Sequence, residues 1–151
     1  MIENNNDEVL ILGLPNSGKS TLVNVLTSKK ASIIGSTPNT TRDKVSTVAE
    51  INNKKLVISD LPGYLEDPDE LNKKFQDKLD GYIKQAEVIL FVIDVNSKNY
   101  KGLDKLNEIL RKQDKTIFTV FNKCENFNSY DLDKNLYKYI FDLDFYISAI
   151  H

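Results

Sequence analysis

Apolar residues along the chain fall into two alternating patterns: short continuous runs, and stretches in which they recur at helical spacing. Residues 9–12 form a short apolar run that stops at Gly13. From 19 to 28, Leu22, Val23, Val25 and Leu26 make a helical stripe. Runs at 45–51 and 56–59 flank Asn52-Asn53, a pair suited to a hairpin turn. Asp67-Pro68-Asp69-Glu70 carries a capping acid, a proline in the first turn and a glutamate three residues after the cap, which predicts a helix start. Leu71, Phe75, Leu79, Tyr82, Ile83 and Ala86 then mark one face of a long helix, with Gly81 its weak point. Residues 88–93 and 117–121 are continuous apolar runs of strand length, as in strands buried on both faces. A helix is predicted between them around Leu103, Leu106, Ile109 and Leu110. Another is predicted around Leu132, Leu136 and Ile140, before a last short strand at 145–147.

Alternation of this kind predicts an α/β fold: a mostly parallel, six-stranded sheet with helices on both faces. A polar leader covers 1–8 and one domain covers 9–151. No helical pattern follows the last strand, where such a layer normally has one. The expectation is a fragment of a longer protein with an apolar sheet face left open.

Composition narrows the setting. At 151 residues the chain is large enough to close one core. No apolar stretch approaches the ~18 residues of a membrane span, and Met1 to Asp7 is too polar for a secretory signal. A single cysteine, Cys124, cannot form an internal disulfide. These features point to a reduced, cytoplasmic compartment without membrane contact. Net charge is -2, whereas a domain that binds nucleic acid by itself usually shows a basic excess. If RNA is a partner, other parts of the protein make the contacts.

Three motifs carry chemistry. Gly13-Leu14-Pro15-Asn16-Ser17-Gly18-Lys19-Ser20, followed by Thr21, fits G-x-x-x-x-G-K-[ST] between a strand and a helix. Its glycines let successive N–H groups face phosphate oxygens at a helix N-terminus. Lys19 would span the β- and γ-phosphates, and the Ser20 hydroxyl would bind Mg²⁺. Asp60-Leu61-Pro62-Gly63 follows the strand at 56–59 and places an acid where Mg²⁺ needs a carboxylate and a glycine N–H where the γ-phosphate would lie.

Asn122-Lys123-Cys124-Glu125 resembles the N-K-x-D element of GTPases, whose acid accepts hydrogen bonds from the guanine N1–H and N2 amino group. Glu125 keeps the charge of the usual aspartate on a side chain one methylene longer. Ser148-Ala149 resembles the S-A-x element, whose backbone touches guanine O6. His151 and Cys124 carry no chemical assignment.

Thr37-Pro38-Asn39-Thr40-Thr41-Arg42-Asp43, with the P-loop Leu14-Pro15-Asn16 and the run at 86–94, resembles the TrmE–Era–EngA group of P-loop GTPases. The likeness is greatest to the first G domain of the EngA/Der family, which acts in large ribosomal subunit assembly. The resemblance implies a Ras-like G domain of the P-loop NTPase fold. It implies that Thr41 is the switch threonine on Mg²⁺ and that Lys19, Thr41 and Gly63 serve catalysis. It also implies that Asn16 holds a K⁺ ion beside the phosphates. Three positions depart from the pattern: Asn39 stands for glycine, Glu125 for aspartate, and Tyr64 where many GTPases keep a water-orienting glutamine.

The function these features predict is Mg²⁺-dependent hydrolysis of GTP to GDP as a conformational switch, with 37–43 and 63–71 as moving parts, in ribosome biogenesis. Partners would be GTP or GDP, and a ribosomal subunit or rRNA reached through other parts of the protein. Three rivals stand beside it. They are the G domain of a membrane iron transporter, a nucleotide-binding module with little turnover, and an ATP-dependent P-loop enzyme.

Overall fold

The computed structural model describes residues 7–27, 31–35, 44–61, 73–125 and 132–148. Its centre is a sheet of β1 (Asp7–Gly13), β2 (Ala31–Gly35), β3 (Val45–Ile51), β4 (Lys54–Asp60), β5 (Val88–Asp94), β6 (Thr116–Asn122) and β7 (Leu143–Tyr146). Strand order is β2-β3-β4-β1-β5-β6-β7. The pairs β4·β1, β1·β5, β5·β6 and β6·β7 are parallel, while β2·β3 and β3·β4 are antiparallel. The mostly parallel sheet is as expected, widened to seven strands by β2 at the edge. Asn52 and Asn53 both take positive φ, 52° and 64°, as a two-residue turn between β3 and β4 requires.

Helices α1 (Lys19–Thr27), α2 (Lys73–Gln85) and α3 (Tyr100–Arg111) complete the layers. Side chains alternate across each strand, so the sheet feeds two cores. Leu10, Leu12, Ile89, Phe91, Ile93 and Phe121 pack with Leu79 and Ile83 of α2 and Leu103, Leu106 and Leu110 of α3. On the opposite face, Ile11, Ile58, Val92 and Val120 pack with Leu22 of α1. That second face stays partly open among the described residues. A groove of about 330 Å³ runs over Val9, Leu56, Leu90 and Phe118. Phe145, 44% exposed, meets Phe118 of that groove edge to face at 5.8 Å, and Leu143 on the same strand is 54% exposed.

One predicted helix differs from expectation, and the start of another is not described. The capping segment 67–70 and the first turns of the long helix lie outside the described residues, and α2 is described from Lys73. The segment around Leu132, Leu136 and Ile140 is a short 3₁₀ helix, Lys134–Tyr139, rather than an α-helix. Its carbonyls are taken by side chains: Arg111 donates to Lys138 and Ile140, and Thr119 Oγ1 donates to Tyr139. Those oxygens therefore do not serve a continuing helical ladder.

Candidate nucleotide site

At the carboxyl end of β1 the backbone turns around Gly13, where a Cβ would come within 2.6 Å of the Val92 carbonyl. Leu14 is buried in the core and seated against Gly102 of α3, the glycine that leaves room for it. Asn16 then takes φ 65° and Gly18 φ 94°, left-handed conformations that reverse the chain before α1. Pro15 is exposed, while the Ser17 hydroxyl is buried beneath the loop without a hydrogen-bond partner among the described residues. The first residues of α1 then line a cavity of about 230 Å³ bounded by Asn16, Gly18, Lys19, Ser20 and Thr21. A helix N-terminus with free N–H groups favours an anion there. Lys19 folds back over the loop, its Nζ 3.3 Å from the Leu14 carbonyl.

Asp60, the last residue of β4, pairs in register with Ile11 of β1 and Val45 of β3. It lines a second cavity of about 200 Å³ together with Ser20 and Thr47. Burial pushes its carboxyl above the usual range, opposed by the Lys19 ammonium and the Leu61 N–H. Burial pulls the Lys19 ammonium below its ordinary value, opposed by Asp60. A hydroxyl and a carboxylate facing one cleft beside the anion cradle are the hard oxygen donors that Mg²⁺ takes, so the donor set fits that ion. Leu61 contributes only its backbone here, and its side chain is core.

The third wall comes from the end of β6. Asn122 is fully buried and its amide donates to the Ser17 carbonyl at 3.0 Å. Lys123 takes φ 66°, a conformation that holds about 1 kcal/mol or more of strain in a side chain of this kind. Its Nζ donates to the Asn16 carbonyl at 2.5 Å and pairs with Asp94 at 3.1 Å. The Cys124 N–H donates to the Ile147 carbonyl, and burial pushes its thiol up, as suits a packing residue. The Ser148 hydroxyl donates to Glu125 Oε1 at 2.7 Å. The two elements assigned to the base therefore meet side chain to side chain.

Residues 13–21, Asp60, 122–125 and Ser148 converge on the carboxyl ends of β1, β4, β6 and β7, where open parallel sheets bind ligands. Thr41, Pro62, Gly63, Tyr64 and Ala149 lie outside the described residues. Asp94 closes the run at 86–94 that carries the family resemblance, with no site role assigned to it. Its place at the end of a buried strand makes it the register partner of Asn122.

The chain resembles known proteins in sequence and in fold. Residues 8–123 match the family described as 50S ribosome-binding GTPase. GTPase Der of Rickettsia bellii (strain OSU 85-389) is 36% identical over 143 residues, which are 95% of this chain and 31% of that protein. The chain thus spans about a third of the length of the curated relatives it matches. The G domain of the T. maritima FeoB iron transporter shares the fold at TM-score 0.65 and 24% identity, over 95% of this chain and 87% of that one. A GTP-binding protein of Sulfolobus solfataricus in complex with GDP is similar at TM-score 0.66 and 26% identity, over 95% of this chain and 47% of that one. The P-loop, the acid that ends β4, the Asn-Lys element and the likeness to EngA/Der agree, and the chain belongs to the 50S ribosome-binding GTPase family.

Proposed function

We propose that the chain binds GTP and GDP with Mg²⁺ and hydrolyses GTP as a switch that serves assembly of the large ribosomal subunit. One observation carries the reading: Asn122 ties the base-side loop to the phosphate loop through a buried hydrogen bond to Ser17. A single ligand with a base at one end and phosphates at the other spans that arrangement. Glu125, held by Ser148, offers carboxylate oxygens to the N1–H and N2 amino group of guanine, a donor pair that adenine lacks. The loop N–H groups and Lys19 receive the phosphates.

Ser20 and Asp60, with Thr41, would hold Mg²⁺, which supplies charge neutralisation at the β- and γ-phosphates when bound. Asn16 would hold K⁺ beside the same phosphates. Lys19, Thr41 and the Gly63 N–H would meet the γ-phosphoryl group. Tyr64 has no amide to orient a water, so turnover of the isolated chain is slow. The ribosomal role is supported by the family description and by the likeness to GTPase Der.

Thermal shift with Mg²⁺ tests the assignment. GTP and GDP raise the melting temperature and ATP does so much less; equal shifts would remove the guanine assignment. Loss of the cation in Lys19→Ala abolishes triphosphate binding, and normal affinity in that variant, measured by calorimetry, would remove the P-loop assignment.

A further inference from the structure

We propose that Asp94 is a positioning residue for the nucleotide: by pairing with Lys123 it fixes the spacing between the loop that takes the base and the loop that takes the phosphates. The proposal rests on the functional reading above. Asp94 ends β5 beside Asn122 of β6, and the Val95 N–H donates to the Asn122 carbonyl, so the two strand ends are locked together. One Asp94 oxygen accepts from the Asn96 N–H at 2.8 Å, which orients the carboxylate. The other meets Lys123 Nζ at 3.1 Å, and the same Nζ reaches the Asn16 carbonyl.

Lys123 and Asn16 are both non-glycine residues in the left-handed region, so neither conformation is a backbone default. The contact between them holds one strained residue against the other, and Asp94 is the fixed charge that aims it. Asp94 does not line the cavity at the start of α1, which is bounded by Asn16, Gly18, Lys19, Ser20 and Thr21. Its influence on a phosphate there passes through Lys123.

This arrangement has a specific thermodynamic signature. A ligand that engages both loops gains from their fixed spacing, because the second contact forms at high effective concentration. A fragment that touches only one loop gains nothing from that spacing. Loosening the clamp therefore weakens the whole ligand more than either half.

The test uses the 151-residue chain and its Asp94→Asn variant, with GDP measured by calorimetry and guanosine and pyrophosphate measured separately by ligand-observed NMR. GDP binding weakens about fivefold, the scale of a half-exposed ion pair. Guanosine and pyrophosphate each change by less than about twofold, and the ligand-free melting temperature moves by no more than about 2 °C. On a Lys123→Met background the Asp94→Asn change adds nothing, since the route through Lys123 is already gone. Unchanged GDP affinity would overturn the proposal. So would parallel weakening of all three ligands with a fall in melting temperature, which marks a merely structural role. So would a full Asp94→Asn effect without the lysine. A wild-type chain with no preference for GDP over ADP would overturn the guanine reading itself, and this proposal with it, before any variant is measured.

Discussion

The side-chain amide of Asn122 donates to the main-chain carbonyl of Ser17 at 3.0 Å, in full burial and across 105 residues of sequence. Removing it in Asn122→Ala leaves a carbonyl without that partner where water does not reach, at a cost of about 1–3 kcal/mol. The ligand-free melting temperature should fall by about 5 °C, and GDP affinity should fall with it. An unchanged melting temperature would show that the bond contributes nothing to holding the two loops.

Two glycines give opposite expectations. A Cβ on Gly18 would fall on the Asn122 amide nitrogen, and its φ of 94° disfavours any side chain. Gly18→Ala should lower stability by about 2 kcal/mol or more and abolish GDP binding. Gly81 sits exposed in the interior of α2 with no atom within 4 Å of an added Cβ. Gly81→Ala should raise stability by about 0.5–1 kcal/mol and leave binding untouched. Denaturant titration of the two variants side by side checks both signs.

On the proposed reading, Glu125 and Ser148 set the guanine preference. Shortening the acid in Glu125→Asp withdraws the carboxylate from the Ser148 hydroxyl, 2.7 Å away in the native chain. Affinity for GDP should drop by about threefold to tenfold, in line with the ~1 kcal/mol net of a typical hydrogen bond, as suits an exposed pair. Ser148→Ala should cost less in the Asp variant than in the native chain. Tighter GDP binding by Glu125→Asp would show that the hydroxyl contact is incidental and that the shorter acid fits the pocket better.

The monovalent ion is the most exposed of these expectations. Negative charge gathers on the β–γ bridging oxygen during transfer, and the P-loop holds no arginine to meet it. Turnover should run several-fold faster in KCl than in NaCl at equal ionic strength, and Asn16→Ala should erase the difference. Equal rates in the two salts, well above background, would remove the K⁺ site and leave GTP hydrolysis standing.

Much of the site was legible because its parts are local. The P-loop is set by glycines at fixed offsets between a strand and a helix, and the structure places Gly13 and Gly18 where a Cβ cannot fit. The Asn52-Asn53 hairpin was legible for the same reason. What escaped depends on neighbours far along the chain. β2 is a five-residue edge strand, Ala31–Gly35, held by pairing with β3 rather than by its own pattern. The apolar spacing at 132–140 suits an α-helix, yet the segment is a short 3₁₀ helix whose last carbonyls are capped by Arg111 and Thr119, partners distant in sequence. Asp94 closes the run at 86–94 without a role of its own, and its value comes from the register that puts it beside Asn122.

The distance of Asn122 from Ser17 along the chain has a consequence for synthesis. The phosphate loop leaves the ribosome early, while its buried partner on β6 and the hydroxyl of Ser148 arrive near the end of the domain. At about 5–20 residues per second, the early half waits on the order of ten seconds with its cradle formed on one side only. On the proposed reading, guanine nucleotide has no complete site to enter during that interval. Binding would then report that the domain has closed, and a nascent chain arrested before β6 should show no affinity for GDP.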